Sequence, residues 1–145
     1  MQRVSSAKVE VGGEVVGRIG IGLLIYLSVG RDDELKDAEY MAEKLAALRI
    51  FADDTGKMNL SVRDVGGDLL IVSNFTLHGD CRKGRRPGFD AAAEAKTAEE
   101  LYEKVTELIA EKGLKVEKGL FGEHMEVSSV NDGPVTFLLD SEGLF

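Results

Sequence analysis

Thr76, His78 and Asp80 stand two residues apart in turn, and in an extended strand all three side chains would face the same side. A hydroxyl, an imidazole and a carboxylate in that order supply a nucleophile, a base and a group to orient the base. The competing reading is a solvated loop histidine, the commoner fate of that residue type. Cys81 offers a thiol beside Arg82 and Lys83, which could lower its pKa, but no partnered base is evident, and an incidental thiol is the safer reading. Two further segments point to a site built from backbone. Ser73-Asn74-Phe75-Thr76-Leu77 and Asn131-Asp132-Gly133-Pro134-Val135-Thr136 each place small polar groups at the end of an apolar run. In the second, the strand-like residues 125–130 end at Gly133-Pro134, and X-Pro is the one link that is cis at modest cost. A sharp turn there aims carbonyl oxygens outward.

These residues need a scaffold, and the hydrophobic pattern supplies one. Residues 4–11 and 14–19 alternate around Gly12-Gly13, which predicts a β-hairpin. Residues 23–29 are nearly all apolar, as expected of a strand buried on both faces, and Gly30 ends it. Asp32 or Asp33 then caps a helix with Leu35, Ala38, Met41, Ala42, Leu45 and Leu48 on one face. Turn signals at 53–56 and 66–68 flank short strands, and residues 69–73 deliver the first motif, with Thr76 near that strand's end. Residues 90–112 read as helical, the best start being Thr97 with Glu100 completing a Thr-x-x-Glu box, and Gly113 ending it. Leu101, Val105, Leu108 and Ile109 form its apolar face, and residues 115–118, 125–130 and 135–139 supply the last strands. Strand-rich order with two helices implies a mixed α/β domain, its sheet covered by helices on one side.

The chain has 145 residues, 43% of them apolar and only two prolines, which suits a single domain over residues 1–145 with one core. No apolar run reaches membrane-spanning length and no secretory leader is visible, so a cytoplasmic protein without a membrane partner is expected. One cysteine and two distant histidines, His78 and His124, lack zinc-ligand spacing, and the pairs Asp32-Asp33 and Asp53-Asp54 read as caps and turns rather than a calcium loop. No metal or other cofactor is expected. A net charge of −8 argues against coating DNA or any long duplex. Arg82, Lys83, Arg85 and Arg86 nevertheless crowd positive charge into five residues directly after the first motif, which suits the gripping of one end of an RNA.

The chain resembles the D-aminoacyl-tRNA deacylase family, which carries Ser-Gln-Phe-Thr-Leu and Asn-x-Gly-Pro-x-Thr segments, here SNFTL and NDGPVT. The likeness includes Gln2-Arg3-Val4-Ser5-Ser6-Ala7, Leu48-Arg49-Ile50-Phe51, Gly56-Lys57-Met58-Asn59-Leu60-Ser61 and Arg82-Lys83-Gly84-Arg85-Arg86-Pro87, in the same order over nearly the whole chain. Asn74 replaces the family's usual Gln and Cys81 a usual Thr; the chain also starts a few residues later than is usual, which would trim the first strand.

The resemblance implies a three-layer β/β/α domain forming a homodimer. It also implies hydrolysis of the ester joining a D-amino acid to the 3′-terminal adenosine of tRNA, without dependence on a histidine at position 78. Such an ester is already activated by the neighbouring ribose hydroxyl and the α-ammonium, so positioning and charge stabilisation suffice for much of the acceleration. On this reading water attacks with help from the ribose hydroxyl. Ser73, Asn74 and the amides of Phe75 and Thr76 surround the reacting carbonyl, and the Thr76 hydroxyl positions the ester; Thr76 as nucleophile is the second choice. Gly133-Pro134, inserted from the partner subunit, walls off the side-chain direction of an L-amino acid and lets glycine pass. Arg3 and Asn131 brace that wall. The other readings are an RNA-binding module without turnover, and a small-molecule esterase using Cys81 or Thr76 with His78.

Overall fold

The computed structural model describes residues 1–145. The expected hairpin forms from β1 (Gln2–Val11) and β2 (Glu14–Ile19), with Gly12 and Gly13 both at positive φ in the turn, where a side chain would be strained. β1 is paired along both edges. One edge takes β3 (Gly22–Leu27) at Gln2–Val4 and β2 at Ala7–Val11; the other takes β8 (Glu126–Thr136) from Gln2 to Glu10. β3 runs parallel to β6 (Asp68–Ser73), and β6 parallel to β7 (Val116–Lys118).

Parallel neighbours require crossovers, and the two helices supply them. α1 (Leu35–Ala47) and the short pair β4 (Phe51–Ala52) and β5 (Met58–Leu60) lie between β3 and β6; α2 (Ala95–Glu111) lies between β6 and β7. Leu23, Ile25, Leu69 and Ile71 face these helices, meeting Ala38, Ala42 and Leu45 of α1 and Tyr102, Val105 and Ile109 of α2. The alternate residues Leu24, Leu70 and Val72 turn to the other face, onto Val4, Val9 and Ile19. β3 and β6 are therefore buried on both sides, as their unbroken apolar runs require. The sheet curls until β2 lies over β7: a methyl group on Gly17 would stand 2.6 Å from the Lys118 carbonyl oxygen. Two sheet walls and one helical layer make the expected three layers. No helix is long and apolar enough to cross a membrane.

Both helix starts differ from expectation. α1 begins after Glu34, whose N–H donates to Asp37 Oδ2 at 2.9 Å, while Asp33 turns back to accept the Gly30 N–H at 2.7 Å. α2 begins at Ala95, so Thr97 and Glu100 lie inside the helix rather than at its cap. The Ala93 N–H bonds to the Val29 carbonyl at 3.0 Å, which anchors the approach to α2 near the end of β3. Tyr102 takes a core place that the apolar spacing did not assign, its hydroxyl donating to the Ile71 carbonyl at 2.8 Å. Burial raises that phenol's pKa.

Candidate active site

The parallel register pairs Leu27 with Ser73, so β3 and β6 end side by side. The Asn74 N–H continues the pairing by donating to the Leu27 carbonyl at 2.8 Å. Beyond it the chain does not stay extended. Residues Phe75–His78 form one 3-10 turn whose hydrogen bonds begin at the Leu77 N–H, donating to the Asn74 carbonyl at 3.3 Å. The amides of Phe75 and Thr76 precede those bonds and need other partners.

This turn overturns the arrangement of Thr76, His78 and Asp80 on one side of a strand. The Thr76 hydroxyl donates to Asn74 Oδ1. His78 Nδ1 lies 2.5 Å from Ser28 Oγ. Asp80 holds Arg82 in a fork, Nε to Oδ1 and Nη2 to Oδ2 both at 2.8 Å. Three groups that sequence spacing would gather go to three different partners, because a 3-10 turn spreads residues at i and i+2 around its axis.

Beside the motif opens a cavity of about 630 Å³, lined in part by Tyr26, Ser28, Ser73, Asn74, Phe75 and Phe89. Phe75 is largely exposed, and its ring meets that of Phe89 edge-on with centroids 5.0 Å apart. The far wall comes from residues 121–125 and Val127, and Ala92 and Ala93 close a third side. Sequence reading named Ser73, Asn74 and Phe75 but missed the rest of this lining. Ser28 carried a signal, since it follows an apolar strand as Ser73 and Asn74 do; Phe89 and residues 121–124 carried none, having no periodicity.

Gly133 and Pro134 are exposed and lie outside this cavity. They do not end the strand, as expected, but interrupt it: β8 pairs with Val4 at Asn131 and with Gln2 at Thr136, leaving residues 132–135 bulged opposite Arg3. The peptide between them is cis. Asn131 clasps the bulge from inside, Oδ1 accepting the Val135 N–H at 2.7 Å and Nδ2 donating to Thr136 Oγ1 at 3.1 Å. Arg3 clasps it from β1, Nε donating to the Asp132 carbonyl at 3.0 Å while Nη1 reaches the Ile50 carbonyl at 2.7 Å. The structure thus brings Arg3, Asn131, Gly133 and Pro134 together, and Ser73, Asn74, Phe75 and Thr76 together, as two separate groups.

The basic segment is a loop closed at its base by a two-way backbone pair between Asp80 and Gly88, at 2.8 and 2.9 Å. Arg82 is partly neutralised by Asp80, whereas Lys83, Arg85 and Arg86 are exposed and form no ion pair. The Arg82 side chain and amide, bonding to the carboxylate, bring the Asp80 pKa down to about 2. A carboxyl whose pKa falls on folding holds its partner above the ordinary carboxylate range and releases it as pH drops through the folded value. The Asp80–Arg82 fork is therefore expected to persist through pH 4 and open near pH 2. Carboxyl chemical shifts should report this, and Arg82→Ala should return the titration toward the usual range; a titration near pH 4 in the intact protein would contradict it.

The family model described as D-Tyr-tRNA(Tyr) deacylase matches residues 1–140. A D-aminoacyl-tRNA deacylase of Thermosipho africanus is 57% identical over 145 residues, all of this chain and 97% of the relative. One of Anaeromyxobacter dehalogenans is 59% identical over the same length and the same shares of each chain. Among solved structures, the c-Myc DNA Unwinding Element Binding Protein superposes with a TM-score of 0.89 at 38% identity, over 96% of this chain and 95% of that one. A probable eukaryotic D-amino acid tRNA deacylase shares the fold with a TM-score of 0.77 at 18% identity, over 91% of this chain and 92% of that one.

Proposed function

The chain belongs to the D-aminoacyl-tRNA deacylase family, hydrolases that act on an ester bond, and from that premise we propose that it cleaves D-aminoacyl-tRNA into free tRNA and the D-amino acid. The observation that carries the reading is the pairing of two unlike groups. One is a backbone-lined turn at the ends of two parallel strands; the other is a Gly133-Pro134 bulge clasped by Arg3 and Asn131 yet set apart from the first.

The turn suits a reaction in which water attacks the ester carbonyl, assisted by the neighbouring ribose hydroxyl. The Phe75 and Thr76 amides are then donors for the developing oxyanion. The Thr76 hydroxyl, tied to Asn74, sets the position of the ester rather than attacking it. Asn74 is one methylene shorter than glutamine, so its amide reaches less far than the usual residue of the family. The bulge serves in the partner subunit's site of a homodimer, as a wall where an L side chain would project; glycine, with no side chain, passes. The exposed apolar side chains of Val130 and Leu138, flanking the bulge, suit burial between two such chains. Lys83, Arg85 and Arg86 have free charge for the phosphates of the tRNA acceptor end.

The test is hydrolysis of matched D- and L-tyrosyl-tRNA by the purified protein. Release from the D-isomer alone is expected; equal release from both, or binding without turnover, refutes the assignment. Thr76→Ala is expected to slow single-turnover cleavage of D-tyrosyl-tRNA about tenfold, the worth of one positioning hydrogen bond, while keeping the preference for D. An unchanged rate removes any role for that hydroxyl.

A further inference from the structure

Ser28 and His78 are not used by the reaction proposed above. Ser28 follows β3 directly, on the cavity lining, and its Oγ lies 2.5 Å from His78 Nδ1 across 50 residues of sequence. With the ring proton on Nε2, Nδ1 accepts the serine proton, which is the contact a nucleophile makes with its base. The far side of the ring is also furnished. A methyl group placed on Gly30 would meet His78 Nε2 at 3.3 Å and Asp33 Oδ1 at 3.2 Å, so Asp33 lies on that side of the ring without bonding to it. Asp33 is itself fixed by the Gly30 N–H on its other oxygen.

We infer that Ser28 and His78 form a second hydrolytic pair, acting on small esters of apolar acids without RNA. The largely apolar lining, with Tyr26, Val29, Phe75, Phe89 and Met125, suits short acyl or aryl groups, and Glu123 on the same lining disfavours an anionic one. In the first step Ser28 Oγ bonds to the ester carbonyl carbon and its proton passes to His78 Nδ1. Collapse breaks the carbon–oxygen bond to the alcohol, which leaves with that proton. Water then attacks the acyl-serine, giving its proton to His78 and releasing the acid; His78 returns the proton to Ser28. One ester and one water give one acid and one alcohol. This activity rests on residues distinct from Thr76 and from Gly133-Pro134, so it stands or falls independently of the tRNA reading.

The experiment is hydrolysis of p-nitrophenyl butyrate by the full chain, with labelling by a fluorophosphonate located by peptide mass spectrometry. Phenolate release above background and a label on Ser28 are expected, with Ser28→Ala abolishing both. His78→Asn, close in size but unable to hold the proton, is expected to lower the rate about 100-fold, the usual share of a general base. No release by the wild-type chain, a label on Thr76 or Cys81 instead, or a Ser28→Ala variant of full activity overturns the inference. The site of labelling in the wild-type chain decides the matter even if a variant does not fold.

Discussion

Gly133→Ala is expected to lower the ratio of D- to L-tyrosyl-tRNA cleavage by about 100-fold, the cost of misplacing a positioning group by roughly an ångström. Gly133 has φ of +145°, a conformation that side chains other than hydrogen rarely adopt. Its added methyl would also stand 2.6 Å from Val135 Cγ2, 2.9 Å from the Val135 nitrogen and 3.3 Å from an Arg3 guanidinium nitrogen. The bulge must shift, and the groups it would shift against are the ones that hold it. Residues 132–134 are exposed but Val135 belongs to the buried core, so a modest fall in the thermal midpoint should accompany the change. Single-turnover rates with both isomers, alongside thermal melting, separate the outcomes. An unaltered ratio in a folded dimer would end the role proposed for this bulge.

Gly22→Ala is expected to act on stability instead, and harder. Gly22 pairs with Asp68 at the first rung of the β3–β6 ladder, and a methyl group there would fall 1.9 Å from the Asp68 carbonyl oxygen and 2.9 Å from its nitrogen. No rotation relieves contact with backbone, so the two central strands must separate or slip, at a cost of about 3 kcal/mol or more. For a chain of this length that lowers the thermal midpoint by roughly 6–12 °C. A melting curve unchanged within 2 °C or so would mean that the ladder opens there at little cost.

The contrast between these two glycines bears on how much could be read in advance. The hairpin at Gly12-Gly13, the doubly buried β3 and β6, and the arrival of Ser73 at a strand end all follow from local pattern, and the structure has them. The helix starts failed for one local and one long-range reason. Asp33 and Thr97 are good caps by residue type, but Asp33 is drawn to the Gly30 N–H and the segment before α2 is pinned by the bond between Ala93 and Val29. The chain after Ser73 misled because Phe75 and Thr76 favour strands, whereas β6 has no further partner on β3 beyond the Asn74 bond and coils instead. Ser28 meets His78, and Arg3 meets Asp132, only because the sheet brings distant segments together, and no periodicity encodes those meetings. Side-chain chemistry, an Arg fork suited to turn carbonyls and an Asn suited to bracing a turn, pointed to Arg3 and Asn131 where periodicity could not.

The double pairing of β1 has a consequence in time. Gln2 is made long before its partner Thr136, so one edge of the founding strand stays open until that distant strand has been made. Long-range closure of that kind slows folding and makes it wait for β8. The closing strand also carries Gly133 and Pro134. A product cut short before that strand therefore lacks both the seal on its central sheet and the segment assigned to tell D from L.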